Sequence, residues 1–229
     1  KDKFKDTNIN LKQKEILGRP KVEPSKSLLK ASINNEISVC ITGAGGSIGS
    51  ELCRQIINME PKYLIMIDFC EYNLFKINQE LEKINTKKTT LITQLKNAED
   101  ELSLEETFKK YTVNLIIHAA AYKHVEMVEK NPLDGLRNNL LNTKSICNAA
   151  IKTKVKKMIL ISSDKAVRPT NIMGGSKLLS ELIVKSYAHN KKSSTKFAVV
   201  RFGNVIDSSG SVIPIFRKQI KNGGPITVT

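Results

Sequence analysis

The chain has 229 residues, of which 40% are hydrophobic and 5% aromatic, and a formal net charge of +15. That length and apolar content suit one large core-forming domain, or one and a half, and exclude a fibrous or disordered chain. No run nears the roughly 18 apolar residues of a membrane span and no leader precedes the first strand, so a soluble, cytoplasmic protein is expected.

The basic charge alone would suit a nucleic acid, a membrane surface or an anionic substrate such as a nucleotide sugar. The lysines are scattered at the ends of predicted elements, as in Lys87-Lys88, Lys109-Lys110, Lys156-Lys157 and Lys191-Lys192, with few aromatics between them. No platform for a single strand is visible, so no nucleic-acid partner is expected. Cys40, Cys53, Cys70 and Cys147 contain no C-x-x-C pair, so buried reduced thiols are expected rather than a disulfide frame or a metal site. The chain opens at Lys1 without an initiator methionine and stops at Thr229 just after what reads as the start of a strand. A piece of a longer protein is expected.

Residues 1–35 are lysine-rich, carry Pro20 and Pro24 and show no sustained period, which suits a linker or an N-terminal arm with a short helix within Ser25–Ile33. From residue 36 strands and helices alternate. Strands are expected at Ile37–Thr42, Tyr63–Asp68, Thr89–Leu95, Val113–Ala119, Met158–Ser162 and Phe197–Phe202. Helices are expected at Ser47–Asn58, Glu71–Ile84, Asp134–Lys152 and Gly174–His189, with another capped by Ser103 and its capping-box partner Glu106. Leu74, Ile77, Leu81 and Ile84 recur at intervals of three and four, the mark of a helix with one buried face. The fourth strand is a continuous apolar run, as in strands covered on both faces, and the alternation of strands with helices implies an α/β fold with a doubly wound parallel sheet.

The first strand runs into Thr42-Gly43-Ala44-Gly45-Gly46-Ser47-Ile48-Gly49 and then a helix. A diphosphate can sit on a helix N-terminus only where the backbone comes close, which a Cβ would block. Gly43, Gly46, Ser47, Ile48 and Gly49 are therefore the candidate cofactor-binding residues of this turn. The spacing is G-x-x-G-x-x-G, so the usual fingerprint applies only through its strand–turn–helix context. The second strand ends in Asp68, placed to accept hydrogen bonds from an adenosine ribose, which favours NAD while NADP stays open. An ordinary helix cap is the alternative for Asp68.

Ligands of such a sheet lie at the C-terminal strand ends. After the fourth strand come Ala119, Ala120 and Ala121, small enough for a flat cofactor to pass over, and then Lys123 and His124 as candidates for the substrate, although a lone histidine is as often structural. After the fifth come Ser163, Asp164 and Lys165, then Met173 and Lys177 at the head of a helix, a hydroxyl, a carboxylate and two ammonium groups able to polarise an alcohol and move protons. After the sixth, Asn204 and the small polar stretch with Ser209 and Ser211, continuing to Val212-Ile213-Pro214, reads as a loop that wraps a phosphate or sugar, or as a plain loop.

Together T-G-A-G-G-S-I-G-S-E-L-C, H-A-A-A-Y-K-H-V, S-S-D-K-A-V-R-P-T-N-I-M-G-G-S-K and R-F-G-N-V-x-x-S-x-G-S-V-I-P resemble the extended short-chain dehydrogenase/reductases of polysaccharide biosynthesis. The likeness runs from about Leu17 to Thr229 and is nearest to the CapD-like, UDP-N-acetylglucosamine 4,6-dehydratase group. It implies an NAD(P)-binding Rossmann domain over 36–229 that includes the start of a substrate-binding region. It also implies a UDP-sugar partner, a homo-oligomer, and membrane attachment only through a region preceding this chain.

The implied chemistry is transient oxidation of the sugar at C4, elimination of water across C5 and C6, and return of hydride to C6. Ser163 would hydrogen-bond the C4 oxygen, Lys177 the nicotinamide ribose, and Asp164 and Lys165 would be acid and base for the elimination. A 4-epimerase shares the oxidation without the elimination; such epimerases usually lack the Asp-Lys pair. Met173 stands where most short-chain dehydrogenases carry a catalytic tyrosine, and a thioether cannot transfer a proton. The C4 base is thus open among Lys177, Asp164 and a water, and a non-catalytic NAD-binding module is the other alternative. Asn97-Ala98 stands where the family has Asp-Val against adenine, so the resemblance makes both cofactor-binding and Asn97 should keep a hydrogen bond; Asn142 replaces a glycine of N-N-x-x-G-T, and for it no role is evident from the sequence.

Overall fold

The computed structural model describes residues 25–86, 88–190, 193–205 and 212–227. They divide into two units, Leu29–Gly203 and a second that holds the described residues before Leu29 and from Asn204 onward. Helix α1 spans Lys26–Ser32. In the first unit follow β1 (Ser38–Thr42), α2 (Ser47–Ile57), β2 (Tyr63–Asp68), α3 (Glu71–Ile84), β3 (Thr90–Leu95), α4 (Glu101–Lys110) and β4 (Leu115–His118). Then come α5 (Val125–Lys130), α6 (Pro132–Lys152), β5 (Lys157–Ser163), a 3₁₀ turn (Asp164–Ala166), α7 (Ile172–Ala188) and β6 (Lys196–Phe202).

The strands form one sheet in the order β3-β2-β1-β4-β5-β6, parallel throughout, which is the doubly wound Rossmann arrangement expected. Every residue of β1 and β4 is buried because helices cover both faces. Successive strand residues point to opposite sides. Cys40, Ile65 and Ile116 thus pack with Leu104 and Phe108 of α4 and Ile146 of α6. Val39, Ile41, Leu64 and Met66 pack with Cys53 and Ile56 of α2 and with Leu74, Ile77 and Leu81 of α3. Each such side chain contributes about 1.5–3 kcal/mol by leaving water. β6, at the edge, is largely exposed.

Chain order reverses between β1 and β4, and a crevice opens there at the C-terminal ends of the strands. Burial of Cys53 and Cys147 pushes their thiols up to about 12, and all four cysteines are free. No described helix is long and apolar enough to cross a membrane.

Several boundaries differ from expectation. Ser103 lies inside α4 and does not cap it; Asp100 does, its Oδ1 accepting from Ser103 N at 3.1 Å, because a carboxylate one turn earlier outcompetes the hydroxyl. α5 was not expected, and α6 begins at Pro132, whose fixed φ suits a first helical position. α7 begins at Ile172, capped by Asn171 Oδ1 accepting from Gly174 N at 2.7 Å, which places Met173 inside the helix. Val212-Ile213-Pro214, read as loop, opens helix α8 (Val212–Lys221) of the second unit, Pro214 again falling in a first turn.

Candidate active site

At the β1–α2 turn Gly43 has φ +68°, and a Cβ on it would lie 2.7 Å from the Ala120 Cα. A Cβ on Gly49 would lie 2.0 Å from the Gly43 carbonyl oxygen, so α2 sits directly on its own turn. Gly45, which was not among the expected residues, is equally confined: its Cβ would meet Asn73 Cβ of α3 at 2.5 Å. Gly46 has more room, its nearest contact being 3.3 Å from Gly43 O, and it is the N-cap of α2. No side chain caps that end. The amides and positive dipole of α2, from Ser47 and Ile48 onward, thus meet the crevice uncapped, a setting for a diphosphate.

Asp68 is buried at the end of β2. Its Oδ2 accepts from Gly45 N at 2.8 Å and its Oδ1 from Cys70 N at 2.9 Å, so the carboxylate ties the glycine turn to β2. Each oxygen retains a further lone pair. Asp68, Ala98, Ala120, Ala121, Asn138 and Asn142 line this half of the crevice together with Asn97. Asn97 Oδ1 accepts from Glu99 N at 3.2 Å in a local turn and retains a second lone pair. Ala119 N donates to Thr42 O at 3.0 Å, carrying the β1–β4 pairing one residue past β4. Phe69 and Tyr122 meet edge to face, ring centroids 6.3 Å apart.

His118 ends β4. It is buried beside its register partner Thr42, whose Oγ1 lies 2.7 Å from Nδ1, while Nε2 lies 3.3 Å from Thr143 Oγ1. Thr143 Oγ1 donates to Asn139 O at 2.7 Å, so Nε2 carries the proton and Nδ1 accepts. Burial, with Lys177 nearby, lowers its pKa to about 3.

Asn139 is a residue the sequence reading missed. Its Oδ1 accepts from Tyr122 N at 2.8 Å, and its Nδ2 donates to Tyr122 O at 3.1 Å and Ser176 Oγ at 2.9 Å. One amide therefore holds the segment after β4 against the head of α7, with the Asn-Asn pair of the helix motif as its signal in the sequence.

At the end of β5, Ser163 Oγ donates to Asp164 Oδ1 at 3.0 Å and accepts from Lys165 N at 3.2 Å. Lys165 Nζ lies 3.2 Å from Asp164 Oδ1. That ammonium holds the Asp164 carboxyl below the usual carboxylate range against the opposing effect of burial, with further help from Ser163. Lys177 is buried on α7 and donates to Ile161 O at 2.7 Å. Burial lowers its pKa to about 8 although Glu181, one turn on, favours the charged form. Met173, one turn before Lys177, is buried and offers no proton. Glu181, also missed, is buried and bonded by Ser162 Oγ and Arg201, whose Nε lies 2.9 Å from Oε1. Burial works against its ionisation, and Arg201 and Ser162 outweigh that, leaving it ionised.

Ser163, Asp164 and Lys165 thus meet at the end of β5, and Lys177 of α7, with Met173 one turn before it, is tied to the same strand at Ile161. Lys123 and His124 are exposed just before α5, His124 as its N-cap. Asn204 belongs to the second unit, and Ser209 and Ser211 lie outside the described residues.

The family model for the polysaccharide biosynthesis protein matches residues 39–229. The chain belongs to that family. Within it, the capsular polysaccharide biosynthesis protein CapD of Staphylococcus aureus is 40% identical over 223 residues, 96% of this chain and 37% of CapD. A UDP-glucose 4-epimerase of Rickettsia rickettsii is 36% identical over 196 residues, 84% of this chain and 56% of that protein. The chain therefore spans little more than a third to just over half the length of these curated relatives. Among solved structures, Pen from Bacillus thuringiensis superposes with a TM-score of 0.80 at 33% identity, over 86% of this chain and 61% of Pen. The dTDP-glucose 4,6-dehydratase DesIV of Streptomyces venezuelae, solved with NAD bound, shares the fold at a TM-score of 0.71 and 17% identity, over 83% of this chain and 64% of that one.

Proposed function

We propose that this member of the polysaccharide biosynthesis family is the dinucleotide-binding part of a nucleotide-sugar 4,6-dehydratase that uses NAD and acts on UDP-N-acetylglucosamine. The observation that carries the reading is the Ser163-Asp164-Lys165 cluster at the end of β5, set beside a buried Lys177 whose pKa is near 8. The residues fit a dinucleotide: Gly43 and Gly49 form a cradle that a Cβ would fill, α2 begins without a side-chain cap, and Asp68 has lone pairs to spare for ribose hydroxyls. A buried carboxylate at that position also disfavours a 2′-phosphate, hence NAD over NADP. The bound nicotinamide would supply a transient hydride acceptor.

The chain's own residues would do the rest. Ser163 donates a hydrogen bond to the C4 oxygen. Lys177, close to neutrality in pKa, lowers the proton affinity of groups around it and binds the ribose next to the nicotinamide. In the free chain Asp164 and Lys165 form an ion pair, so Asp164 has no proton to give. When the sugar displaces water, two adjacent charges become costly and the proton moves from Lys165 to Asp164. The neutral amine of Lys165 then takes the C5 proton, Asp164 protonates the departing C6 hydroxyl as water, and the ion pair is restored. Met173 leaves no phenol to remove the C4 hydroxyl proton, which passes through water to Lys177 in its neutral form, Asp164 being already protonated.

A second reading, a 4-epimerase, is favoured by the Rickettsia relative. One experiment separates the two: incubate the protein with NAD and UDP-N-acetylglucosamine and follow the sugar by mass spectrometry. A product lighter by one water supports the dehydratase, whereas a stereoisomer of unchanged mass supports the epimerase. Full dehydration by Asp164→Asn would refute the role given to that carboxyl. Unchanged sugar with tight NAD binding would mark a non-catalytic module.

A further inference from the structure

Two buried side-chain polar atoms lack a hydrogen-bond partner among the described residues, Thr89 Oγ1 and Asn142 Oδ1. Thr89 precedes β3, at the end of the sheet away from the crevice. Asn142 is on α6, only 3% exposed, and lines the crevice shared by Asp68, Asn97 and Ala98. An unpaired buried amide oxygen is costly and calls for a partner, a water, an ion or a ligand, and of the two atoms only Asn142 Oδ1 belongs to a residue that lines the crevice.

The orientation of that amide is set by the backbone. The Tyr122 peptide donates from N to Asn139 Oδ1 at 2.8 Å and accepts from Asn139 Nδ2 at 3.1 Å, which fixes Asn139. Asn138 Nδ2 then donates to Asn139 Oδ1 at 3.1 Å, so Asn138 Oδ1 is left to accept from Asn142 Nδ2 at 3.2 Å. The three amides form a relay of one polarity, and it ends with Asn142 Oδ1 as an acceptor. Such a group repels a phosphate, which only accepts. Ribose hydroxyls go to Asp68, and the nicotinamide end belongs across β4, beside Lys177. The donor remaining in the dinucleotide is the exocyclic amine of its adenine.

We infer that Asn142 reads the base of the cofactor, its Oδ1 accepting a hydrogen bond from the adenine 6-amino group. This rests on the NAD reading above and extends it to a residue that gives the site preference for a 6-aminopurine. It also gives Asn142 a purpose where the family motif has glycine.

The test is calorimetric binding of NAD against nicotinamide hypoxanthine dinucleotide, which keeps both riboses and both phosphates but carries a 6-oxo group in place of the amine. Wild type should bind NAD at least about tenfold more tightly, the usual effect of an unmatched buried hydrogen bond. In Asn142→Ala and Asn142→Leu the ratio should fall toward one, chiefly by weaker NAD binding. Because the readout is a ratio within one protein, a variant that is merely less stable moves both affinities together. Equal affinities in wild type, or an unchanged ratio in the variants, overturns the assignment while the NAD reading stands. If neither dinucleotide binds wild type, the cofactor reading fails and the role of Asn142 fails with it.

Discussion

The two halves of the crevice are held by opposite means. At the β1–α2 turn the structure is made by what is missing: Gly43, Gly45 and Gly49 let backbone segments touch, and the Asp68 carboxylate ties the turn to β2. At the β5–α7 end it is made by side chains, with Ser163, Asp164 and Lys165 partly exposed and Lys177 and Glu181 buried in hydrogen-bonded positions. The first half tolerates no added atom at Gly43, Gly45 or Gly49. The second has room but depends on protonation. Binding a constant, acceptor-rich group needs a rigid shape, whereas moving protons needs pKa values within reach of neutrality.

The largest effect should come from Gly49→Ala. Its Cβ would overlap the Gly43 carbonyl oxygen at 2.0 Å, a backbone atom that cannot swing away. A loss of about 3 kcal/mol in a urea melt and loss of dinucleotide binding are expected. An unchanged melt would break the contrast between the halves. Next, Asn139→Ala leaves the Tyr122 peptide and Ser176 without their partner, and a loss of about 2 kcal/mol is expected from the same measurement.

Protonation sharpens the comparison from the other side. Lys177 titrates at about 8 in the folded protein against an ordinary 10.5, so between these values the unfolded chain binds more protons than the native one. Stability should therefore rise as pH is raised from about 8 toward 10.5, and Lys177→Met should flatten that rise. His118, lowered from 6.5 to about 3, has the same sign in acid: stability should fall as pH drops below about 6.5. Thermal melts across pH on wild type and Lys177→Met read both. The smallest expected effect is Gly175→Ala, where a Cβ meets nothing within 4 Å. A gain of about 0.5–1 kcal/mol should follow, from helix propensity alone. A loss would show that the active-site half is as tightly packed as the glycine turn.

Much of the fold was legible because covered strands and amphipathic helices write their surroundings into a short stretch of chain. β2 and α3 lie where the residues place them, and the glycine turn announced itself by local geometry. Helix starts were harder. Asp100 was passed over for Ser103 because both are good caps, and only the hydrogen bond to Ser103 N decides between them. Gly45 was missed since its neighbour, Asn73, lies on another helix.

By itself, then, the sequence determined the alternating sheet, the place of its crevice and the residue types at each strand end, because these depend on contacts close along the chain. Which side chains are bonded, buried or ionised was decided only by the tertiary structure. His118 becomes a neutral structural residue because Thr42 and Thr143 come from β1 and α6 to meet it. Lys177 approaches neutrality because packing removes its water. Asn142 acquires an unmatched acceptor because a relay of amides begins at a peptide 20 residues away in sequence. Desolvation and hydrogen-bond polarity are properties of the surroundings, and the surroundings exist only once the chain has folded.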